Sequence, residues 1–238
     1  MPGDAYYNYQ ATARGLSTSA DVEALTDEMS LVYRRLLPRW LPADRNASIC
    51  EVACGAGIML RYLRREGYAN LTGSDRSDCQ VALARAAGLP VVQADSLAEL
   101  KRRPSDTWDC LIAIDFIEHL PKDVLIEFLA ECGRTLKPGG CLILRAPNAD
   151  SPFVGRNLFN DVTHVWAYTS VATRALLGMA GFQRVEFVDE SVAGVRRHRW
   201  LKVPLMRLCQ ALLRRLIRVA TREDVRWLHP SIYLCAWK

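Results

Sequence analysis

The sequence predicts an α/β fold: an open, mostly parallel sheet with helices on both faces. Three observations carry this. The short apolar run from Ser48 passes into the small-residue turn Ala53-Cys54-Gly55-Ala56-Gly57, then into the apolar helix start Ile58-Met59-Leu60. Asp75, Asp95 and Asp115 each close a further apolar run, twenty residues apart. That interval holds one strand, one helix and two short loops. Strand and helix signals therefore alternate, as parallel strands joined by crossover helices require.

The elements run in order along the chain. A helix is expected over 21–37, stopped by Pro38. Strands are expected over 48–53, 70–74, 90–94, 108–114 and 140–146. The helices between them fall at 57–66, 77–87, 96–102 and 122–136. After a long loop, Thr169 is suited to N-cap a helix over 170–180 that ends at Gly181. Phe182 to Val188 reads as a sixth strand and Ser231 to Trp237 as a seventh. The expected organisation is a cap over 1–47, a core over 48–190 plus 231–238, and an insertion over 191–230. The 238 residues, half of them hydrophobic, suit one such domain with additions.

The polar residues gather where such a sheet binds ligands, at the carboxyl ends of its strands. Gly55 and Gly57 let the first turn bend sharply and approach a ligand closely. The helix behind it offers amides and partial positive charge to an anion. A dinucleotide turn would want a third glycine, but Leu60 stands there, so a smaller anion such as an amino-acid carboxylate fits better. Asp75 is placed to accept ribose hydroxyl protons, and Asp95, beside Ser96, an adenine amine.

These residues resemble the class I S-adenosylmethionine-dependent methyltransferases. Glu51 to Gly57 matches the family's first motif, with Ala53 in place of the commonest first glycine. Asp75 matches its ribose-binding acid and Asp95 its adenine-side acid. Trp108 to Leu120, containing Asp115-Phe116-Ile117-Glu118-His119, matches the fourth strand and the post-strand motif. Leu136-Lys137-Pro138-Gly139-Gly140 matches the turn into the fifth strand. The resemblance runs from about Ile49 to Glu190. It implies a Rossmann-like seven-stranded sheet whose last two strands form an antiparallel edge hairpin. It also implies S-adenosyl-L-methionine as cofactor, held by Glu51, Ala53, Cys54, Gly55, Gly57, Asp75, Arg76, Asp95, Ser96, Asp115, Phe116 and His119.

For the acceptor, the loop Arg156 to Tyr168 begins at the ligand edge, just after Asn148, and its length is typical of functional loops. His164 is the expected general base, with Asp161 three residues earlier placed to orient it. Tyr6, Asn148, Arg156, Asn160 and Tyr168 are expected to contact the acceptor. His119 is expected to orient its loop or the cofactor. No sufficient ligand cluster is visible around His164, so no metal is expected. The Asp-x-Thr-His pattern looks like methyltransferases of bacterial cell-surface glycans and sugars, which implies O-methylation of a sugar hydroxyl on a glycan or glycan precursor. The alternatives are a methyltransferase of a lipid, quinone or other small metabolite, and a non-catalytic module that binds the same cofactor at a membrane. Leu60 and the acids at 95 and 115 argue against a nicotinamide oxidoreductase. A nucleobase amine is disfavoured because no Asn/Asp-Pro-Pro-aromatic tetrapeptide comes after the fourth strand.

Composition bounds the rest. The eight cysteines form no Cys-x-x-Cys pair and mostly lie in apolar runs, which suits buried thiols in a reducing compartment. No run approaches the roughly eighteen apolar residues of a membrane span, and the N-terminus has no apolar signal region. The chain carries +5, yet Arg196 to Arg226 holds ten basic and two acidic residues, leaving 21 basic and 24 acidic residues elsewhere. Within that stretch Arg207, Arg214, Arg215, Arg218 and Arg222 share one side of a helix opposite a leucine-rich face. This segment suits packing on the body with solvated arginines, or lying in an anionic membrane surface. Aromatics are not interleaved to stack bases, so no nucleic-acid partner is expected. The expected location is the cytoplasm, at the inner face of the membrane on the second reading.

Overall fold

The computed structural model describes residues 15–191 and 202–238. Helix α1 (Ser19–Leu36) begins in a capping box: the Thr18 hydroxyl accepts from the Asp21 N–H at 3.2 Å, and the Asp21 carboxylate accepts from the Thr18 N–H at 2.8 Å. Next along the chain are β1 (Ile49–Val52), α2 (Ile58–Arg65), β2 (Leu71–Asp75), α3 (Asp78–Ala86), β3 (Val91–Gln93), α4 (Ser96–Arg102), β4 (Trp108–Ile114), α5 (Lys122–Thr135) and β5 (Leu136–Pro147). A short helix α6 (Val154–Phe159), unforeseen in the long loop, precedes α7 (Ser170–Met179), β6 (Arg184–Asp189), α8 (Val203–Thr221) and β7 (Ser231–Trp237).

The seven strands form one sheet in the order β3-β2-β1-β4-β5-β7-β6. β1 to β5 pair in parallel, and β7 is antiparallel to both β5 and β6. The order reverses between β1 and β4, and the crevice above their carboxyl ends is where ligands bind in such sheets. β5 starts four residues earlier than expected: Leu136 pairs with Trp108, then the register shifts to Cys110 opposite Cys141.

Strand alternation divides the core between the sheet's two faces. Ile49, Cys110, Ile112 and Tyr233 pack with Tyr33, Leu37, Tyr62 and Leu63 on one face. Cys50, Val52, Leu111 and Ala113 pack with Leu125, Phe128 and Leu177 on the other. Six of the eight cysteines are buried among them. Helix α1 is fastened to α2 by Arg61–Glu23 at 3.0 Å, Arg65–Asp27 at 2.7 Å and the Tyr33–Tyr62 ring contact.

The basic insertion forms α8 between β6 and β7, with Pro204 in its first turn. None of its residues is buried, and Leu205, Leu208, Leu212, Leu216 and Val219 are between 54 and 76% exposed. The expectation placed on Tyr6, and the part of the basic cluster from Arg196 to Leu201, lie outside the described residues. No helix among the described residues is long and apolar enough to cross a membrane.

Candidate active site

A cavity of about 600 Å³ opens over the β1–β4 crevice. Its floor begins at the turn after β1. Ala53, Gly55 and Gly57 all take positive φ, of 53°, 53° and 79°. This sharp reversal brings the Gly55 N–H to Asp75 Oδ2 at 2.8 Å. The other Asp75 oxygen accepts from the Ser77 N–H at 2.8 Å, which fixes the carboxylate over the crevice with lone pairs remaining on both oxygens. Glu51 lies behind, fully enclosed. Burial pushes its carboxyl well above the usual range, opposed by the Leu60 N–H and reinforced by the Asp75 charge. One of its oxygens has no hydrogen-bond partner among the described residues. Burial also raises Asp75, against the pull of its backbone hydrogen bonds.

Of the expected cofactor residues, Glu51, Ala53, Cys54, Gly55, Asp75, Arg76, Asp95, Ser96, Asp115, Phe116 and His119 all line this cavity. Gly57 does not. A Cβ there would meet the Leu89 side chain at 2.4 Å, so this glycine serves packing of the turn and not ligand approach. Asp95 also caps α4, accepting from the Ala98 N–H at 3.0 Å.

The acceptor residues are largely corrected. Asn148 is buried and holds the main chain, donating to the His229 carbonyl at 2.9 Å and accepting from the Asp150 N–H. The buried Tyr168 hydroxyl donates to the Ile117 carbonyl at 3.2 Å. Arg156 and Asn160 are exposed, and none of these four lines the cavity. Asp161 lines the cavity, and its Oδ1 accepts from the Thr163 N–H at 2.9 Å and from the Thr163 hydroxyl at 2.6 Å. Thr163 in turn meets His119 Nδ1 at 2.8 Å. The carboxylate thus positions His119, which lines the cavity, whereas His164 packs edge-on behind it with ring centroids 4.7 Å apart. Ligand atoms of Glu118, His119 and His164 lie within 4.8 Å of one another.

Two features were missed. Arg145, from β5, lies under the cavity between Asp115, which it meets through Nη1, and Glu190, 3.0 Å from its Nε. It is 16% exposed, and the two carboxylates hold its proton firmly against the cost of burial. The lone charge in Cys141 to Pro147 was the only signal in the sequence. The second is a roof from α1 and the segment before it: Leu16, Leu25, Met29 and Tyr33 add to the cavity lining.

A methyltransferase-domain family profile matches residues 25–187, more than half of the chain. The chain belongs to that family. Its cofactor is S-adenosylmethionine, and the site fits it: the enclosed Glu51 keeps one oxygen without a hydrogen-bond partner among the described residues, Asp75 stands over the crevice, and the Gly55 turn leaves room for a close approach. A relative from Mycolicibacterium smegmatis, named "Probable S-adenosylmethionine-dependent methyltransferase", is 30% identical over 64% of this chain and 57% of its own length. This methyltransferase thus spans little more than half of that relative. A ubiquinone biosynthesis O-methyltransferase of Xanthomonas oryzae pv. oryzae is 26% identical over 78% of this chain and 76% of its own. Among solved structures, a SAM-dependent methyltransferase from Archaeoglobus fulgidus superposes with a TM-score of 0.70 at 20% identity, covering 98% of this chain and 100% of that one. That likeness confirms the Rossmann-like methyltransferase fold.

Proposed function

We propose that this methyltransferase methylates a hydroxyl of an apolar or lipid-carried small acceptor, bound between the roof and the His119–His164 pair. The carrying observation is the division of the cavity wall. Carboxylates line the sheet edge, and Leu25, Met29, Phe116, Leu120, Val124 and Phe128 add a large apolar share of the wall. Such a wall favours the lipid, quinone or small-metabolite alternative over the saccharide, for which only the Asp-x-Thr-His loop speaks. The activity named for the Xanthomonas relative supports the same choice.

S-adenosylmethionine supplies a methyl group on a sulfonium, so positioning carries much of the rate, up to about 7–11 kcal/mol in favourable cases. The chain's own residues hold the cofactor along Glu51 and Asp75 and bring the acceptor oxygen to His119. Removing the hydroxyl proton there contributes about 10²–10⁴-fold. The leucine face of α8 and its arginines support attachment to an anionic membrane surface, where each arginine adds about 1 kcal/mol.

The test is methyl transfer from labelled cofactor to separated lipid and glycan extracts. Label is expected in the lipid fraction, and His119→Ala should cut turnover about 10²–10⁴-fold with little change in cofactor affinity. Label confined to the glycan fraction would overturn the acceptor class.

A further inference from the structure

We propose that Glu118, His119 and His164 hold a divalent transition-metal ion at the edge of the cofactor cavity. Glu118 and His119 come from the 3-10 turn Ile117–His119 after β4, and His164 from the loop between α6 and α7. A backbone hydrogen bond of 2.7 Å, Val165 N–H to the Glu118 carbonyl, ties the two segments together. Their ligand-type atoms lie within 4.8 Å of one another, and Glu118 is buried.

The tautomers decide the chemistry. His164 Nδ1 lies 3.1 Å from the Leu158 carbonyl, which only accepts, so Nδ1 carries the proton. The Thr163 hydroxyl spends its proton on Asp161 Oδ1, so toward His119 Nδ1 it acts as acceptor, and that nitrogen also carries its proton. With Nδ1 carrying the proton, Nε2 is the nitrogen of each ring that can ligate. Two imidazoles and a buried carboxylate make the donor set. Outer partners that protonate and orient the far ring nitrogen are the usual support of metal-bound histidines. Here the Asp161–Thr163 pair and the Leu158 carbonyl fill that place.

Two nitrogens and one oxygen suit zinc, iron, cobalt or nickel, and not the all-oxygen shells of magnesium or calcium. Bonds of about 2.1 Å place tetrahedral donors about 3.4 Å apart, so the three side chains draw together on binding. Three protein ligands leave a position open. His119 lines the cavity, so that position adjoins the acceptor space. Polarising an acceptor hydroxyl from there rests on the reaction proposed above; the binding itself does not.

The experiment titrates the chelator-treated full chain with Co²⁺ and reads visible absorption and heat. One ion per chain is expected, with d–d bands that Zn²⁺ abolishes. His164→Gln and His119→Gln should each weaken binding at least about tenfold, and the positioning variant Thr163→Val about 10–100-fold. His229→Gln, outside the cluster, should bind as the parent does. Melting with and without S-adenosylhomocysteine checks that each variant folds. Absent d–d bands, or binding indifferent to both histidine variants in folded protein, would overturn the site. Either result leaves methyl transfer itself standing, because that is judged by labelled product alone; a bound ion replaces His119 as proton acceptor by polarising the acceptor hydroxyl.

Discussion

Replacing Arg145 tests whether the cavity floor rests on a buried ion triad. Arg145 meets Glu190 at 3.0 Å, with side chains 16% and 13% exposed, and meets Asp115, which is 39% exposed. Solvent screens the Asp115 pair, which contributes about 0–1 kcal/mol. The Glu190 pair is enclosed, and removing one partner of such a pair costs about 3–5 kcal/mol because a charge is left behind. Arg145→Ala should therefore lose about 3–6 kcal/mol, a large share of the roughly 5–15 kcal/mol of a whole domain. Urea unfolding near neutral pH measures the loss. Arg145 also anchors Asp115, whose φ of 51° places it at the cavity wall, so affinity for S-adenosylhomocysteine should fall as well. A loss below about 1 kcal/mol would refute the triad as a structural element.

Burial raises the Glu51 and Asp75 carboxyls, so their stability contributions are complete at acid pH and lost as pH rises through the raised values. Glu51→Gln should stabilise the empty protein near neutral pH by about 1–3 kcal/mol and flatten that dependence in urea titrations. The same variant should weaken the cofactor at least about tenfold, or 1.4 kcal/mol, by calorimetry. Replacing Leu208, Leu212 and Leu216 together by Gln should leave the fold's melting unchanged, since all three are exposed, and abolish cosedimentation with anionic vesicles. Undiminished cosedimentation would remove α8 as the membrane contact.

The sheet was legible because its strands are punctuated locally. Apolar runs ending at Asp75, Asp95 and Asp115 name the ligand edge without any long-range knowledge. The cavity's cofactor side was legible from the same marks. The illegible features depend on partners far apart in sequence. Arg145 sits in an apolar strand and meets an acid 45 residues away, which no spacing announces. The roof needs α1 to dock on α2 through ion pairs 38 residues apart. Asp161 is a different case, for its preference is local. A short acid in a loop closes onto the backbone N–H two residues on, in the Asx turn that Asp75 makes with Ser77 and Asn148 with Asp150. By that local preference Asp161 belongs to Thr163, and through its hydroxyl to His119, before His164 is considered.

The charges around the cavity explain why its carboxylates are not merely structural. Asp115 is matched by Arg145, and Asp95 and Asp161 are engaged by the Ala98 N–H and by Thr163. Glu51 meets the Leu60 N–H and the repulsion of Asp75, and burial dominates both. A folded chain has little reason to enclose two neighbouring acids unless something bound there relieves them, and such costs persist where the surrounding structure enforces them for function.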